Sequence, residues 1–193
     1  IHHRLVGSEM CIRDSHSVIH YRDAYGLYAC NGILFNRESP RRGVNFVTKK
    51  IVQGLVRIKQ GKQKVLTLGN LYSRRDWGHA NDYVESMWKI LQQKKANDFV
   101  VATKTSNSVK DFINICAKKL NLKLIWKNKG LKEIAINKLT NKIIIKVDQK
   151  YFRETEVDNL IGDFSKAKKM LKWKPKYSFD KLIDDMIYDE LND

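Results

Sequence analysis

The fold of this chain is decided by residues 31–43, Asn-Gly-Ile-Leu-Phe-Asn-Arg-Glu-Ser-Pro-Arg-Arg-Gly. An apolar run enters a polar turn that carries an amide, a carboxylate and three guanidinium groups. In open α/β sheets, ligands bind outside the carboxyl ends of the strands. We therefore expect a buried strand over residues 27–36, with ligand-binding side chains in the turn that follows it.

Patterns along the rest of the chain predict helices in alternation with strands. Apolar spacing and capping signals predict helices at 17–24, 44–60, 79–93, 108–120, 165–171 and 178–191. Within 79–93, one apolar face is marked by Ala80, Tyr83, Val84, Met87, Trp88 and Leu91. Short apolar runs predict strands at 65–68, 98–103, 122–126 and 142–147, with a Lys/Asn-rich loop before the last. This alternation indicates an α/β fold with a largely parallel sheet.

The composition is that of a globular protein: 42% of the 193 residues are hydrophobic, with only 2 Pro and 10 Gly. The longest apolar run, 27–35, is far shorter than the roughly 18 residues that would cross a bilayer, so we expect no membrane partner. The 3 cysteines lack metal-type spacing. We therefore expect no metal site, and a location in the reducing cytoplasm.

The net charge of +16 makes a nucleic-acid-binding module one alternative. The lysines are scattered along every segment, however, and no basic stripe alternates with aromatic residues. We interpret the excess charge as solvated, lysine-rich surface and expect no nucleic-acid partner.

Two further strings accompany the 31–43 stretch: Arg-Asp-Trp-Gly-His-Ala at 75–80 and Tyr-Phe-Arg-Glu-Thr-Glu-Val at 151–157. Together the three resemble the GDP-mannose 4,6-dehydratase family of extended short-chain dehydrogenases/reductases. The resemblance runs from about Tyr21 to the C-terminus and covers the C-terminal half of such an enzyme. It implies the C-terminal part of a Rossmann-type parallel sheet plus the smaller α/β substrate-binding subdomain.

The domain prediction follows from this resemblance. Residues 16–193 are expected to be the C-terminal half of the dehydratase, with substrate-binding segments interleaved with the last Rossmann elements. Residues 6–15, Val-Gly-Ser-Glu-Met-Cys-Ile-Arg-Asp-Ser, look like a translated sequencing adapter. We therefore expect residues 1–15 to be an artefact foreign to the gene.

The resemblance implies a lyase that converts GDP-mannose to GDP-4-dehydro-6-deoxy-mannose and water with bound NADP. The family's catalytic Tyr, Lys, Thr and Glu lie upstream of residue 16, so no catalytic residue can be assigned here. No Gly-x-x-Gly-x-x-Gly sequence follows an N-terminal strand either. Tyr177 and Lys181 have Tyr-x-x-x-Lys spacing, but they open the last helix, where the family has no catalytic pair. The chain alone is expected to be inactive.

The binding residues are better represented. The resemblance assigns NADP contact to Arg42 and to Arg37, which stands where the family usually has His. It assigns the nucleotide sugar to Asn36, Val47, Lys50, Arg75, Arg153 and Glu156. The cations Lys50, Arg75 and Arg153 suit a diphosphate, because charged donors bind its oxygens strongly. Asp76 and His79 are expected to fix their loop and to cap the next helix.

Several alternatives remain open from the sequence. Asn36 suits a turn at a strand end, and Arg153 with Glu156 suits a surface ion pair. The whole protein could be another NADP-dependent nucleotide-sugar dehydratase or epimerase, a basic nucleic-acid-binding module, or a non-catalytic interaction domain. In its full-length form we expect a homo-oligomer, with a number of copies that the sequence does not give.

Overall fold

A computed structural model describes residues 7–152 and 159–192, and its elements follow the predicted alternation. The helices are α1 Gly7–Tyr25, α2 Val47–Lys59, α3 Ala80–Leu91, α4 Val109–Lys119, α5 Ser165–Leu171 and α6 Phe179–Asn192. The strands are β1 Gly32–Leu34, β2 Asn36–Glu38, β3 Leu66–Leu68, β4 Arg74–Arg75, β5 Trp77–His79, β6 Phe99–Val101, β7 Asn107–Ser108, β8 Leu124–Lys127, β9 Ile134–Asn137 and β10 Lys142–Val147. Short 3₁₀ turns lie at Gly130–Lys132 and Gln149–Tyr151.

Local signals explain where several helices begin and end. Ser108 and Asp111 form the predicted capping box: the Asp111 amide donates to Ser108 Oγ over 3.0 Å, and the Ser108 amide donates to Asp111 Oδ2 over 2.9 Å. Gly26 follows α1 with a φ of 64°, a left-handed conformation that glycine adopts without strain. α1 itself begins at Gly7, inside the segment that we expect to be an artefact.

The sheet strands fall into parallel and mixed groups. β1 pairs with β6, and β2 pairs with β5, both in parallel. A separate four-stranded sheet has the order β3-β10-β9-β8; its β3–β10 pair is parallel and the other two pairs are antiparallel. β4 and β7 form a short antiparallel pair. The predicted α/β class is therefore confirmed, while the second sheet is more antiparallel than the alternation suggested.

Two strand predictions need correction. The strand expected over 27–36 is interrupted at Phe35, because β1 pairs with β6 while β2 turns to pair with β5. It is also not buried, since Leu27 and Ile33 are about half exposed. β9 lies in the Lys/Asn-rich segment that was predicted as a loop. Within that segment Ile134 and Ile136 favour a strand, which pairs with β8 on one side and β10 on the other.

The apolar residues collect in two cores. The larger core lies between α2, α4, α6 and strands β3 and β10. The smaller joins α3 and α5 to β6 and includes Tyr83, Ile90, Phe99 and Trp173. Trp173 fixes α3 by donating from Nε1 to the Asp82 carbonyl over 2.9 Å.

The apolar face predicted for α3 is largely not its core face. Tyr83 is buried as expected, together with Ser86 and Ile90. The remaining large members of the face are exposed, with solvent-accessible fractions of 40% for Met87 and 62% each for Val84, Trp88 and Leu91. α3 therefore presents an apolar stripe to its surroundings.

Within residues 7–152 and 159–192, no helix has both the length and the hydropathy needed to cross a membrane. The same residues contain no cluster of His, Cys, Asp and Glu side chains suited to a metal ion.

Candidate functional site

The candidate site begins where β1 ends and the chain enters β2. The Phe35 amide still donates to the Val101 carbonyl over 3.0 Å, after which the chain leaves β6. The register then sets Asn36 beside Trp77 and Arg37 beside Gly78. Asn36 is half-buried and Arg37 is exposed. The β2–β5 pairing thus brings the first predicted segment against the second, two residues from Arg75.

Arg75 lies on β4, in register with Asn107 of β7, and is half-buried. Its Nη1 donates to the Arg74 carbonyl over 2.8 Å. The Arg74 carbonyl also accepts from the Leu160 amide over 3.1 Å, and Arg74 forms a parallel bridge with Asn159. The strand that carries Arg75 is therefore also the anchor for the chain that follows residue 158.

Asp76 and His79 act on the local structure as predicted. The buried Asp76 carboxylate accepts from the backbone amides of Thr103, Lys104 and Gly162. His79 caps α3, since its Nδ1 accepts from the Asn81 amide over 3.1 Å. These two residues fix the backbone on both sides of Trp77.

Lys50 lies one helical turn after Val47, so both side chains share one face of α2. The Lys50 ammonium nitrogen stands 3.8 Å from the centre of the Tyr151 ring. The two residues border a cleft of about 240 Å³ that is also lined by Gln53, Gln63 and Thr67. Val47 is half-buried against the larger core and so supports this face of the helix.

The predicted residues Arg153 and Glu156 lie outside the described residues. Their flanks, however, are both placed at the candidate site. Before the segment, Tyr151 lies under Lys50, and its carbonyl comes so close to Gly69 that a Cβ there would clash. After the segment, Asn159 lies beside Arg74. The described residues thus place Lys50 beside the residues that precede this segment, and the strand of Arg75 beside the residue that follows it.

The positive charge of Arg42 is balanced by a neighbouring carboxylate, that of Glu38. Its Nε lies 3.2 Å from Oε2 of the buried Glu38, and its guanidinium carbon lies 3.4 Å from the centre of the Phe46 ring. Thr48 Oγ1 donates to the same Glu38 oxygen over 2.5 Å. Burial raises the pKa of Glu38, while the Thr48 hydrogen bond and the Arg42 charge oppose that rise. The residues expected to contact NADP are therefore an exposed Arg37 and an Arg42 already paired with a carboxylate.

Tyr177 and Lys181 belong to a different cluster. The Tyr177 ring stacks on His79 with 3.9 Å between ring centres, and the Lys181 ammonium lies 4.8 Å from the Tyr177 ring centre. His79 Nε2 in turn contacts Asp185 Oδ2 at 2.9 Å. This cluster joins α3 to α6, so the Tyr-x-x-x-Lys spacing serves packing there.

Sequence reasoning missed the roles of Glu38 and Tyr151. Both lie inside the quoted strings, so their position was a usable signal. Their partners Thr48 and Lys50 lie on α2, and no local sequence pattern predicts contacts between α2 and these residues.

The parallel strand pairs with helical connections, and polar side chains at the strand ends, define a Rossmann-type α/β protein. Solved structures agree on this fold. RMD from Pseudomonas aeruginosa complexed with NADPH superposes with a TM-score of 0.76 at 17% identity, covering 94% of this chain and 53% of that one. The dTDP-glucose 4,6-dehydratase from Bacillus anthracis in complex with NAD gives 0.71 at 16% identity, covering 92% and 49%.

Sequence comparison gives the family. The GDP-mannose 4,6 dehydratase family model matches residues 12–186. GDP-mannose 4,6 dehydratase 1 of Arabidopsis thaliana is 53% identical over 173 residues, which are 90% of this chain and 43% of that protein. The Homo sapiens relative is 47% identical over 171 residues, or 89% and 46%. The chain belongs to the GDP-mannose 4,6-dehydratase family, and it spans somewhat under half the length of these relatives.

Proposed function

We propose that the chain is part of a hydro-lyase that converts GDP-mannose to GDP-4-dehydro-6-deoxy-mannose and water. The observation that supports the proposal is a pair of contacts: Lys50 lies against Tyr151, before residues 153–158, and the strand that carries Arg75 bridges Asn159, after them. Three cations from separate segments are suited to a diphosphate, because charge-assisted hydrogen bonds to anionic oxygens are the strong ones. Family membership supplies the identity of the sugar nucleotide.

We assign the nucleotide sugar to Asn36, Val47, Lys50, Arg75, Arg153 and Glu156. Asn36 offers an amide that both donates and accepts, which suits a sugar hydroxyl. Val47 supports the helix face that presents Lys50. Arg75 and Arg153 are the proposed diphosphate ligands.

We assign the cofactor NADP to Arg37 and Arg42. When bound, NADP would accept a hydride from the sugar and return it later in the reaction. The exposed Arg37 fits an anionic group directly. Arg42 fits it as a positioned donor, because Glu38 and Phe46 hold its guanidinium in place. The catalytic groups and the phosphate-binding turn would come from the part of the protein that precedes residue 16.

The cellular setting follows from the same proposal. A cytoplasmic protein is supported by the free thiols of Cys30 and Cys116, the latter buried with its pKa raised by burial to about 12.

A homo-oligomer is supported by the exposed apolar stripe of α3 (Val84, Met87, Trp88 and Leu91). Replacing Trp88 with Glu in the whole protein should lower its mass in solution if copies associate through this stripe.

The decisive experiment starts from genomic DNA upstream of codon 16. An open reading frame that continues upstream through a dinucleotide-binding half, without Ile1–Ser15, would match the proposal. The protein expressed from that frame should convert GDP-mannose to GDP-4-dehydro-6-deoxy-mannose, and mass spectrometry would detect the product. Turnover of UDP- or dTDP-glucose instead would favour another nucleotide-sugar dehydratase or epimerase. Recovery of residues 1–15 in intact genomic DNA would contradict the artefact proposal.

A further inference from the structure

The four-stranded sheet β3-β10-β9-β8 packs one of its faces against the larger core. Ala135 and Ile145 are opposite each other in this sheet, and both belong to that core. Successive side chains of a strand point to opposite faces, so Ile134 and Ile136 lie on the other face. This other face, as formed by β8, β9 and β10, is called the outer sheet face below.

Three isoleucines form a row across the outer sheet face. Ile125 of β8, Ile136 of β9 and Ile143 of β10 are in register. Ile125 is 41% exposed and Ile143 is 45% exposed, whereas Ile136 between them is only 8% exposed. The two outer side chains shelter the middle one. The isoleucine row is therefore a small apolar strip that the described residues leave open to solvent.

Two exposed lysines flank this row. Lys127 of β8 and Lys146 of β10 both pair with Ile134 of β9. Residues directly opposite each other in paired strands project from the same side, so both lysines share the outer sheet face with the isoleucine row. A lysine keeps its ammonium group in water while its methylene chain covers apolar surface. The face therefore combines an apolar strip with adjacent positive charge.

The positive charge of the chain is concentrated around this face. Residues 118–150, which contain β8, β9 and β10, hold ten lysines and two acidic residues. Half of the net charge of +16 thus falls within these 33 residues, although lysines occur along the whole chain. One of the two acids, Glu133, is buried and paired with Lys110 at 2.6 Å. The outer sheet face therefore lies in a strongly basic part of the chain.

The chemistry of this surface fits an anionic lipid bilayer better than a nucleic acid. None of the cations in 118–150 is an arginine, the residue that binds phosphates in a bidentate manner. The one aromatic residue in that range, Trp126, packs against the larger core, so the face offers no ring on which a base could stack. Exposed isoleucines, by contrast, can enter the apolar boundary of a bilayer while lysines bind its anionic headgroups.

We propose that the outer sheet face binds the surface of an anionic lipid bilayer, with the isoleucine row at the headgroup boundary and Lys127 and Lys146 against the anionic headgroups. Contact of this kind requires no segment that crosses the bilayer, and no helix of the described residues could do so. The expectation of no membrane partner rested on that criterion alone. The proposal is independent of the nucleotide-sugar site.

Vesicle flotation tests the charge on this face, because protein that merely associates with itself does not float. The 193-residue chain should float with vesicles of equal parts phosphatidylcholine and phosphatidylserine, and much less with phosphatidylcholine alone. Lys127→Gln with Lys146→Gln should lower the affinity about twentyfold, since each lysine near an anionic surface contributes about fivefold. Lys168→Gln with Lys169→Gln, two exposed lysines of α5, is the matched control and should lower it less than about twofold.

The isoleucine row is tested in the same assay. Ile125→Thr with Ile143→Thr keeps β-branched side chains in both strands and should weaken binding about tenfold, because two apolar anchors are lost. Val84→Thr with Leu91→Thr removes two exposed apolar side chains from α3 and should leave vesicle binding as in the parent chain. All the substituted side chains are exposed, so the variants should melt close to the parent.

The outcomes that would overturn the proposal are distinct. Equal flotation with neutral and anionic vesicles would remove the role of charge. Equal losses in the two lysine pairs would mean that only the net charge of the chain matters. Unaltered vesicle affinity in the isoleucine pair, together with binding of poly(U) RNA that the Lys127 and Lys146 variant weakens, would assign the face to nucleic acid instead.

Discussion

The Lys50 ammonium stands 3.8 Å from the centre of the Tyr151 ring. This contact joins α2 to the start of the third predicted segment. A cation over an aromatic face is attracted by the ring quadrupole. Tyr151 therefore holds a flexible lysine side chain in one direction before any ligand arrives.

Replacing Lys50 by Ala should weaken GDP binding about tenfold, because a charged donor to the diphosphate is lost. Replacing Tyr151 by Leu should cost less, about threefold, since an exposed cation–π contact contributes roughly 0.5–1 kcal/mol. Calorimetric titration with GDP measures both effects. Lys59→Ala, an exposed lysine at the end of the same helix, is the control and should bind as the parent does. Equal affinity of the Lys50 and Lys59 variants would contradict the assignment of Lys50.

The buried Glu38 should make stability depend on pH. Burial raises its pKa in the folded chain. Above the unfolded pKa of about 4.3, the folded state then binds more protons than the unfolded state, so the free energy of unfolding falls as pH rises through the folded pKa. Urea unfolding should show that the parent loses free energy of unfolding relative to Glu38→Gln as pH rises from the unfolded pKa of Glu38 to its raised folded pKa. Below the unfolded pKa, the difference in free energy of unfolding between the two proteins should stay constant.

Asp98 should give the opposite dependence of the free energy of unfolding on pH, measured by the same urea unfolding. Its hydrogen bond from Arg22 lowers the pKa of Asp98 in the folded chain. The parent should therefore gain stability relative to Asp98→Asn as pH rises from the lowered pKa to about 3.9. If both differences had the same sign, the environment assigned to Glu38 would be wrong.

The elements that were predicted well are those with local signals. The Ser108–Asp111 capping box starts α4, and Gly26 ends α1, because caps and left-handed glycines act within a few residues. β9 was missed although its partners are near in sequence, because it is only four residues long and lies in a segment rich in Lys and Asn. The core face of α3 was misjudged for a different reason: Trp173, far along the chain, packs on its Tyr83 side.

For the candidate site, the sequence motifs predicted which segments contribute residues, but they did not predict the contacts between those residues. The pairing of Arg42 with Glu38 and Phe46 depends on the turn geometry after β2. The saturation of Asp76 depends on Gly162 meeting the loop after β6. The Asp76 contact joins residues far apart in the chain, whereas the Arg42 contacts span four residues and depend on the backbone of one turn.

Expressed alone, the 193-residue chain should associate as its concentration rises. β1 pairs with β6 along one edge, and no other strand of the described residues pairs with it. Ile33 on this strand is 49% exposed, and an apolar open edge is a template for pairing with another chain. Ile33→Lys should reduce association in sedimentation velocity runs. Ile143→Lys is the control, because Ile143 is similarly exposed but its strand is paired on both sides. A monodisperse monomer with a sharp unfolding transition would contradict this prediction.

The sharpest prediction separates the substrate residues from the cofactor residues in the whole protein. Arg75→Ala and Arg153→Ala should each weaken GDP-mannose binding by about 1.5–3 kcal/mol, the scale of hydrogen bonds to charged groups. NADP affinity should change much less. Arg42→Ala should show the reverse preference, and Arg41→Ala, an exposed neighbour, should change neither affinity. Separate titrations of GDP-mannose and NADP into each folded variant measure the difference. If the Arg75 and Arg153 variants kept the parent's affinity for GDP-mannose, the site assignment would fall while the family assignment stood, because the two rest on different observations.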